Sequence, residues 1–202
     1  MYQIILASQS PRRREIMELM EIPYQVVTEN VVETTNETDP IEMVQAIASL
    51  KAKAVLNKLY KEKPDTKETI LIAADTMVFY KEQALGKPED EADAMRMLQM
   101  LSGEVHEVFT GVSITIINQE GKKSLSFAVC TKVYVAPLTK EQIEDYIATG
   151  EPMDKAGAYA IQGRFGIYIR EIIGDYYNVV GFPIAKIYEL LLQEGVDIKN
   201  LK

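Results

Sequence analysis

Two short stretches carry residue types suited to phosphate chemistry. One is Ser8-Gln9-Ser10-Pro11-Arg12-Arg13-Arg14, and the other is Asp75-Thr76, which follows the unbroken apolar run Ile70-Leu71-Ile72-Ala73-Ala74. Ser10 is placed to cap a helix whose first position is Pro11. Such a helix end offers backbone N–H groups, and neighbouring guanidinium groups grip phosphate oxygens in pairs, so the stretch reads as an anion site. Several cations at the positive end of a helix are unfavourable for the helix itself, a conflict that functional sites tolerate. Solvated arginines with salt partners are the plainer reading of Arg12 and Arg14. The glycines and the closing Gly-Lys-Ser/Thr of a Walker loop are missing. Asp75 has two readings: a carboxylate for metal or proton work at the carboxyl end of a buried strand, or a residue that only opens a turn.

Further candidates lie elsewhere in the chain. Lys51 falls near the apolar stripe of a helix, where its amine either snorkels outward or reaches an anion. Lys87 sits in Leu85-Gly86-Lys87-Pro88, a constrained loop or an ordinary turn. The stretch from Glu151 to Gly163 is glycine-rich and chemically mixed, and Gln162 offers both a donor and an acceptor to a base edge. Glu33, in a polar segment from Thr28 to Asp39, has no distinguishing signal of its own. His106 is the single histidine and Cys130 the single cysteine. Both fall in strand-like segments, where a satisfied structural histidine and a buried, inert thiol are expected. A multi-histidine metal centre, a cysteine-based zinc site and a disulfide framework are excluded.

The elements that must position these groups can be read from periodicity. Ile4 to Ala7 predicts a buried strand, followed by a helix with Ile16, Leu19 and Met20 inward; Ile22 to Val27 predicts a second strand. Asp39-Pro40-Ile41-Glu42 starts a helix running to about Tyr60, with Val44, Ile47 and Val55 on related turns. The charged segment Lys61 to Thr69 reads as a surface connection. The apolar run at Ile70 ends in Asp75-Thr76 and resumes as Met77 to Tyr80. A helix to about Leu101 uses Ala94, Met95, Leu98 and Leu101. Thr110 to Ile117 and Leu125 to Val135 flank a turn at Gln119 to Lys122 and predict an antiparallel pair, with Leu125, Phe127, Val129, Thr131, Val133 and Val135 on its core face. Thr139 and Gln142 form a capping box, with Gly150 as the stop. Phe165 to Ile173 predicts a strand and Ile187 to Leu191 a final helix, with a frayed tail after Gly195.

A chain of 202 residues with 47% hydrophobic content can bury a sizeable core. The net charge of -8 argues against a non-specific binder of nucleic acid. No apolar run approaches the roughly 20 residues of a bilayer span, and the first residues lack the basic region of a signal peptide. A cytoplasmic protein that contacts neither nucleic acid nor membrane is expected.

The order of these stretches carries more than any one of them. Leu6 to Arg13, Ala73-Ala74-Asp75-Thr76, Leu85 to Pro88, Ser102-Gly103 with His106-Glu107-Val108, Glu151 to Gly157, Ile161-Gln162-Gly163, Gly174-Asp175-Tyr176 and Asn178 to Gly181 together resemble the Maf-like nucleoside triphosphate pyrophosphatases, also described as septum formation inhibitor proteins. The resemblance implies an α/β fold: an elongated, mixed, strongly twisted sheet flanked by helices. It also implies a single domain over 1–202, two lobes around a central cleft, and a homodimer. The implied activity is hydrolysis of a nucleoside triphosphate to the monophosphate and pyrophosphate with a divalent metal, Mg²⁺ or Mn²⁺. One branch of the family prefers dTTP and UTP; another prefers 7-methyl-GTP and carries tryptophan where this chain has Arg12. Arg12, Thr76 and Gln162 resemble the first branch. Gln9 stands where the family often has glycine.

The resemblance assigns roles by position. Asp75 becomes the central carboxylate, as general base or metal ligand, and Glu33 lies beside the same metal. Ser8, Arg12, Arg13, Lys51 and Lys87 bind the substrate, while Thr76 and Gln162 help select the pyrimidine. Lys53 and Lys155 are reserves, and Asp154 is a second metal contact or a loop salt bridge. The alternatives are a non-enzymatic interaction protein of cell division and a broader clearing activity on modified nucleotides.

Overall fold

The computed structural model describes residues 2–62 and 68–201. Most of the connection expected from Lys61 to Thr69 lies outside the described residues; Thr69 itself already opens a strand. In chain order the elements are β1 (Gln3–Leu6), α1 (Pro11–Leu19), β2 (Gln25–Val26), α2 (Pro40–Glu62), β3 (Thr69–Tyr80), β4 (Gln83–Leu85) and α3 (Glu91–Leu101). They continue as β5 (Val105–Asn118), β6 (Gly121–Val135), α4 (Lys140–Ile147), β7 (Ile169–Ile173), α5 (Tyr176–Val180) and α6 (Ile184–Gln193). The strands form one sheet in the order β2-β1-β3-β5-β6-β7, with β4 paired to β3. β1 runs parallel to β2 and β3, whereas β3–β4 and β6–β7 are antiparallel. The fold is therefore a mixed α/β sheet, with the twist that paired strands adopt, flanked by helices. No described helix is long and apolar enough to cross a membrane.

Two compact units divide the chain. The first comprises Met1–Asp75, Thr110–Val129 and Gly181–Lys202. Its core joins α2, through Ala52, Val55 and Leu56, to Ile5, Ala7, Leu71, Ala73 and Ile117 of the strands. The N-terminus of α2 forms as its sequence requires: Asp39 Oδ1 accepts from the N–H groups of Ile41 at 2.9 Å and Glu42 at 3.1 Å. Gly111 of β5 lets this helix lie close, because a Cβ there would overlap the Val44 carbonyl group. The expected inward face of α1 is corrected. Arg13, Ile16 and Met17 are buried, Met20 is half-buried, and Leu19 is 68% exposed, so turning Arg13 inward rotates the helix away from the purely apolar choice. The segment after Gly195 is packed as far as Ile198, contrary to the fraying expected: Val196 and Ile198 are buried, and Val196 N–H donates to Leu191 O at 2.9 Å.

The second unit comprises Thr76–Phe109 and Cys130–Val180. Leu98 and Leu101 of α3, Ile143 and Tyr146 of α4, and Phe165 belong to its core. The capping box of α4 is formed, and Gly150 follows the helix with φ 73°. The two-residue link at Gln119-Glu120 makes β5 and β6 an antiparallel hairpin, with strands longer than the sequence pattern suggests. Only Thr131, Val133 and Val135 of the expected β6 face are buried; Leu125, Phe127 and Val129 are half-buried. Cys130 is exposed, contrary to the buried thiol expected. Residual desolvation, with Glu107 adding to it, raises its pKa, so the thiol is a poor nucleophile despite its exposure. His106 is buried as expected and its Nε2 lies 2.7 Å from Tyr159 Oη, but its Nδ1 has no hydrogen-bond partner among the described residues. The strand expected from Phe165 starts only at Ile169, because Arg164–Tyr168 winds into a 3₁₀ turn.

Candidate functional site

Asp75 does not end its strand. β3 continues unbroken to Tyr80, so neither the strand-end position nor the turn reading holds. What ends here is the parallel pairing with β1, whose last register partner is Leu6 with Ile72, followed by the Ala7 N–H donating to Ile72 O at 2.8 Å. Beyond that point the Ala74 carbonyl has no β1 donor, and the Nη1 of Arg13 supplies one at 2.8 Å. Side chains two and four residues apart on a strand share a face, which places Asp75 on the face of Ala73 and Leu71. Those two residues pack against α2. The sequence therefore delivers a carboxylate to the underside of that helix, at the last residue of the first unit's opening segment.

Lys51 meets it there. On α2 it neighbours the buried Ala52, and its Nζ lies 2.7 Å from Asp75 Oδ1 and 2.8 Å from Glu33 Oε2. The Lys51 and Asp75 side chains are 17% and 10% exposed, whereas Glu33 is 52% exposed. One ammonium thus bridges an inner and an outer carboxylate, and the expected reach of Lys51 is realised on carboxylates. Glu33 is brought in by tertiary contact alone, from an irregular segment.

Arg13 is the second buried charge of this unit. Its Nε donates to Gly181 O at 2.8 Å, and Nη1 donates to Ser8 Oγ at 3.0 Å as well as to Ala74 O. Burial pushes its pKa down to about 10, opposed by Asp75, reinforced by Arg12 and opposed again by Glu33, so the guanidinium remains charged at neutral pH. Ser8 Oγ also accepts from the Ser10 N–H at 3.2 Å. Ser8 therefore organises the loop. Ser10 occupies the N-cap position of α1 but makes no side-chain cap bond, which corrects its expected role. Arg12 is half-buried at the start of α1 and Arg14 is exposed.

Thr76, Lys87 and Gln162 belong to the second unit. Alternation along β3 turns Thr76 to the face opposite Asp75. Lys87 is exposed in its loop, and that loop is tied to the 151–163 segment by the Gly157 N–H donating to Gly86 O at 3.0 Å. Gln162 is exposed. Asp154 and Lys155 form an ion pair, the salt-bridge alternative for Asp154, and Lys53 is exposed on α2. Sequence reasoning missed the carbonyls of Ala74 and Gly181, because every residue carries a carbonyl and no residue type marks one as an acceptor.

Among the described residues no group of three or more His, Cys, Asp or Glu side chains is placed to hold a metal ion. Glu33 and Asp75 do converge on one cationic point. Two carboxylates suit a hard divalent ion that keeps water and substrate phosphates as its other ligands.

A strand-borne carboxylate bridged by a helix lysine, beside a buried arginine that secures a strand–loop–helix turn, defines an α/β protein with a concentrated charged site. The model of the family described as Maf-like protein matches residues 3–194, and the chain belongs to that family. Among its relatives, a dTTP/UTP pyrophosphatase of Lachnoclostridium phytofermentans is 47% identical over 98% of both chains. One of Agathobacter rectalis is 44% identical over 98% of this chain and all of its own, and one of Alkaliphilus metalliredigens is 45% identical over 95% of both.

Proposed function

We propose that this chain is a nucleoside triphosphate pyrophosphatase, a single catalytic domain that hydrolyses dTTP and UTP to the monophosphate and pyrophosphate. Full-length similarity to relatives of that name supports the reaction, and the Glu33–Lys51–Asp75 bridge is the observation that carries its chemistry. Water must attack the α-phosphorus while pyrophosphate leaves, so a base is needed at one end and positive charge along the polyphosphate. Asp75 takes the proton from water. Arg12 and Lys87 bind phosphate oxygens, and Lys51 turns from its carboxylates to the incoming polyanion. Arg13, committed to Gly181, Ala74 and Ser8, acts as a fixed positive charge. Thr76 and Gln162 select the base. Glu33 and Asp75 would hold Mg²⁺ or Mn²⁺, which when bound neutralises phosphate charge and makes water more acidic. The resemblance carries a homodimer as well, which sedimentation at assay concentration tests.

The test is Asp75→Asn, whose amide oxygen still accepts from Lys51. Turnover of dTTP and UTP should fall roughly 100-fold or more with little change in melting temperature. Near-normal turnover by the folded variant would remove Asp75 from the reaction.

A further inference from the structure

Glu151 takes no part in that chemistry, yet its carboxylate is committed at both oxygens. Tyr146 Oη donates to Oε1 at 2.9 Å, and the Arg164 backbone N–H donates to Oε2 at 3.2 Å. On one side lies a rigid support: Tyr146 is buried on α4, with its ring centroid 5.1 Å from that of the fully buried Phe165. On the other side lies the turn Gln162-Gly163-Arg164. Gly163 has φ −102°, open to any residue, but a Cβ there would overlap the Glu151 carboxylate. A side chain at 163 would therefore displace the carboxylate pressed against this Cα, while the backbone conformation itself is open to any residue. The turn is closed further by Gly163 N–H donating to Ala160 O at 3.2 Å and Gly166 N–H donating to Gly163 O at 3.1 Å. Glu151 itself is anchored through its N–H to Thr149 Oγ1 at 3.2 Å and through its carbonyl to Lys155 Nζ at 3.4 Å.

We infer that Glu151 is a positioning residue for base recognition: its carboxylate pins the 162–164 turn to α4 and so fixes where Gln162 presents its amide. The inference rests on the reading that Gln162 selects the base. Gln162 is exposed, and a long side chain on an exposed turn discriminates between bases only if the backbone beneath it is held. A carboxylate accepting from a phenol and a backbone amide is a strong way to hold it.

The test compares Glu151→Ala, Glu151→Gln and Gln162→Ala in steady-state hydrolysis of dTTP and dATP. Glu151→Ala should lower the dTTP preference in kcat/KM about tenfold, mainly by raising KM for dTTP, with kcat changed less than about threefold. Glu151→Gln should stay near the parent, because its oxygen accepts from Arg164 and its amide donates to Tyr146. Amide exchange at Arg164 should quicken in Glu151→Ala and not in Glu151→Gln. If Glu151→Ala yields no soluble protein, Gly163→Ala, which displaces the carboxylate without removing it, carries the same expectation. Loss of base preference in Gln162→Ala with none in Glu151→Ala or Gly163→Ala overturns the positioning role alone. Unaltered preference in Gln162→Ala overturns the base-selection reading and the inference that rests on it.

Discussion

Replacing Lys51 by methionine keeps most of the apolar stem that packs beside Ala52 and removes the charge shared by Asp75 and Glu33. At 2.7 Å and an effective dielectric constant near 20, the Lys51–Asp75 attraction is about 6 kcal/mol gross, and desolvation of both partners offsets a large part of it. Breaking the pair is costlier than its net worth, since it leaves the Asp75 carboxylate in a setting where its side chain is only 10% exposed. Glu33, half in water, loses little. The expected destabilisation is about 3 kcal/mol, at the lower end for a broken buried pair, which lowers the melting temperature by about 6–12 °C in a chain of this size. Urea unfolding of the nucleotide-free protein measures it, and a double-mutant cycle assigns it. In Lys51→Met/Asp75→Asn the stranded charge is gone, so the double variant should recover to within about 1 kcal/mol of the parent. A cost below about 1 kcal/mol for Lys51→Met, with simple additivity in the double variant, would refute the claim that the ammonium compensates a buried carboxylate.

Two further outcomes follow from buried groups. Burial holds the His106 pKa at about 4 against an ordinary 6.5, so the unfolded chain binds more protons between those values. Its contribution is complete above about pH 6.5 and is lost as pH falls toward 4, amounting to about 3 kcal/mol at most. His106→Gln should flatten the fall in urea midpoint over that window; identical slopes in variant and parent would exclude the histidine as its source. Gly111→Ala should cost about 2–3 kcal/mol by forcing β5 and α2 apart at Val44, read as a lower melting temperature, and an unchanged value would mean the helix yields freely.

The sequence by itself determined the local structures whose causes are local. Asp39-Pro40 opens α2, Thr139 and Gln142 cap α4, and the run from Ile70 makes the central strand, because capping bonds and apolar periodicity act within a few residues. The order of its motifs also carried the family. Asp75, Lys51 and Arg13 could be nominated by residue type and by their place near apolar stripes. Their arrangement could not be read this way. Arg13 buries itself by donating to the Ala74 and Gly181 carbonyls, which are far apart in the chain and meet it only in the folded protein. Glu33 becomes a partner of Lys51 only when an irregular segment is laid beside α2, and Glu151 acquires its role only when Gly163 folds against it. Cys130, placed in an alternating strand, proves exposed because alternation names two faces and does not say which one another element covers. Tertiary structure decided these points: they depend on which backbone groups and faces remain unsatisfied once distant segments have packed, and no residue type records that.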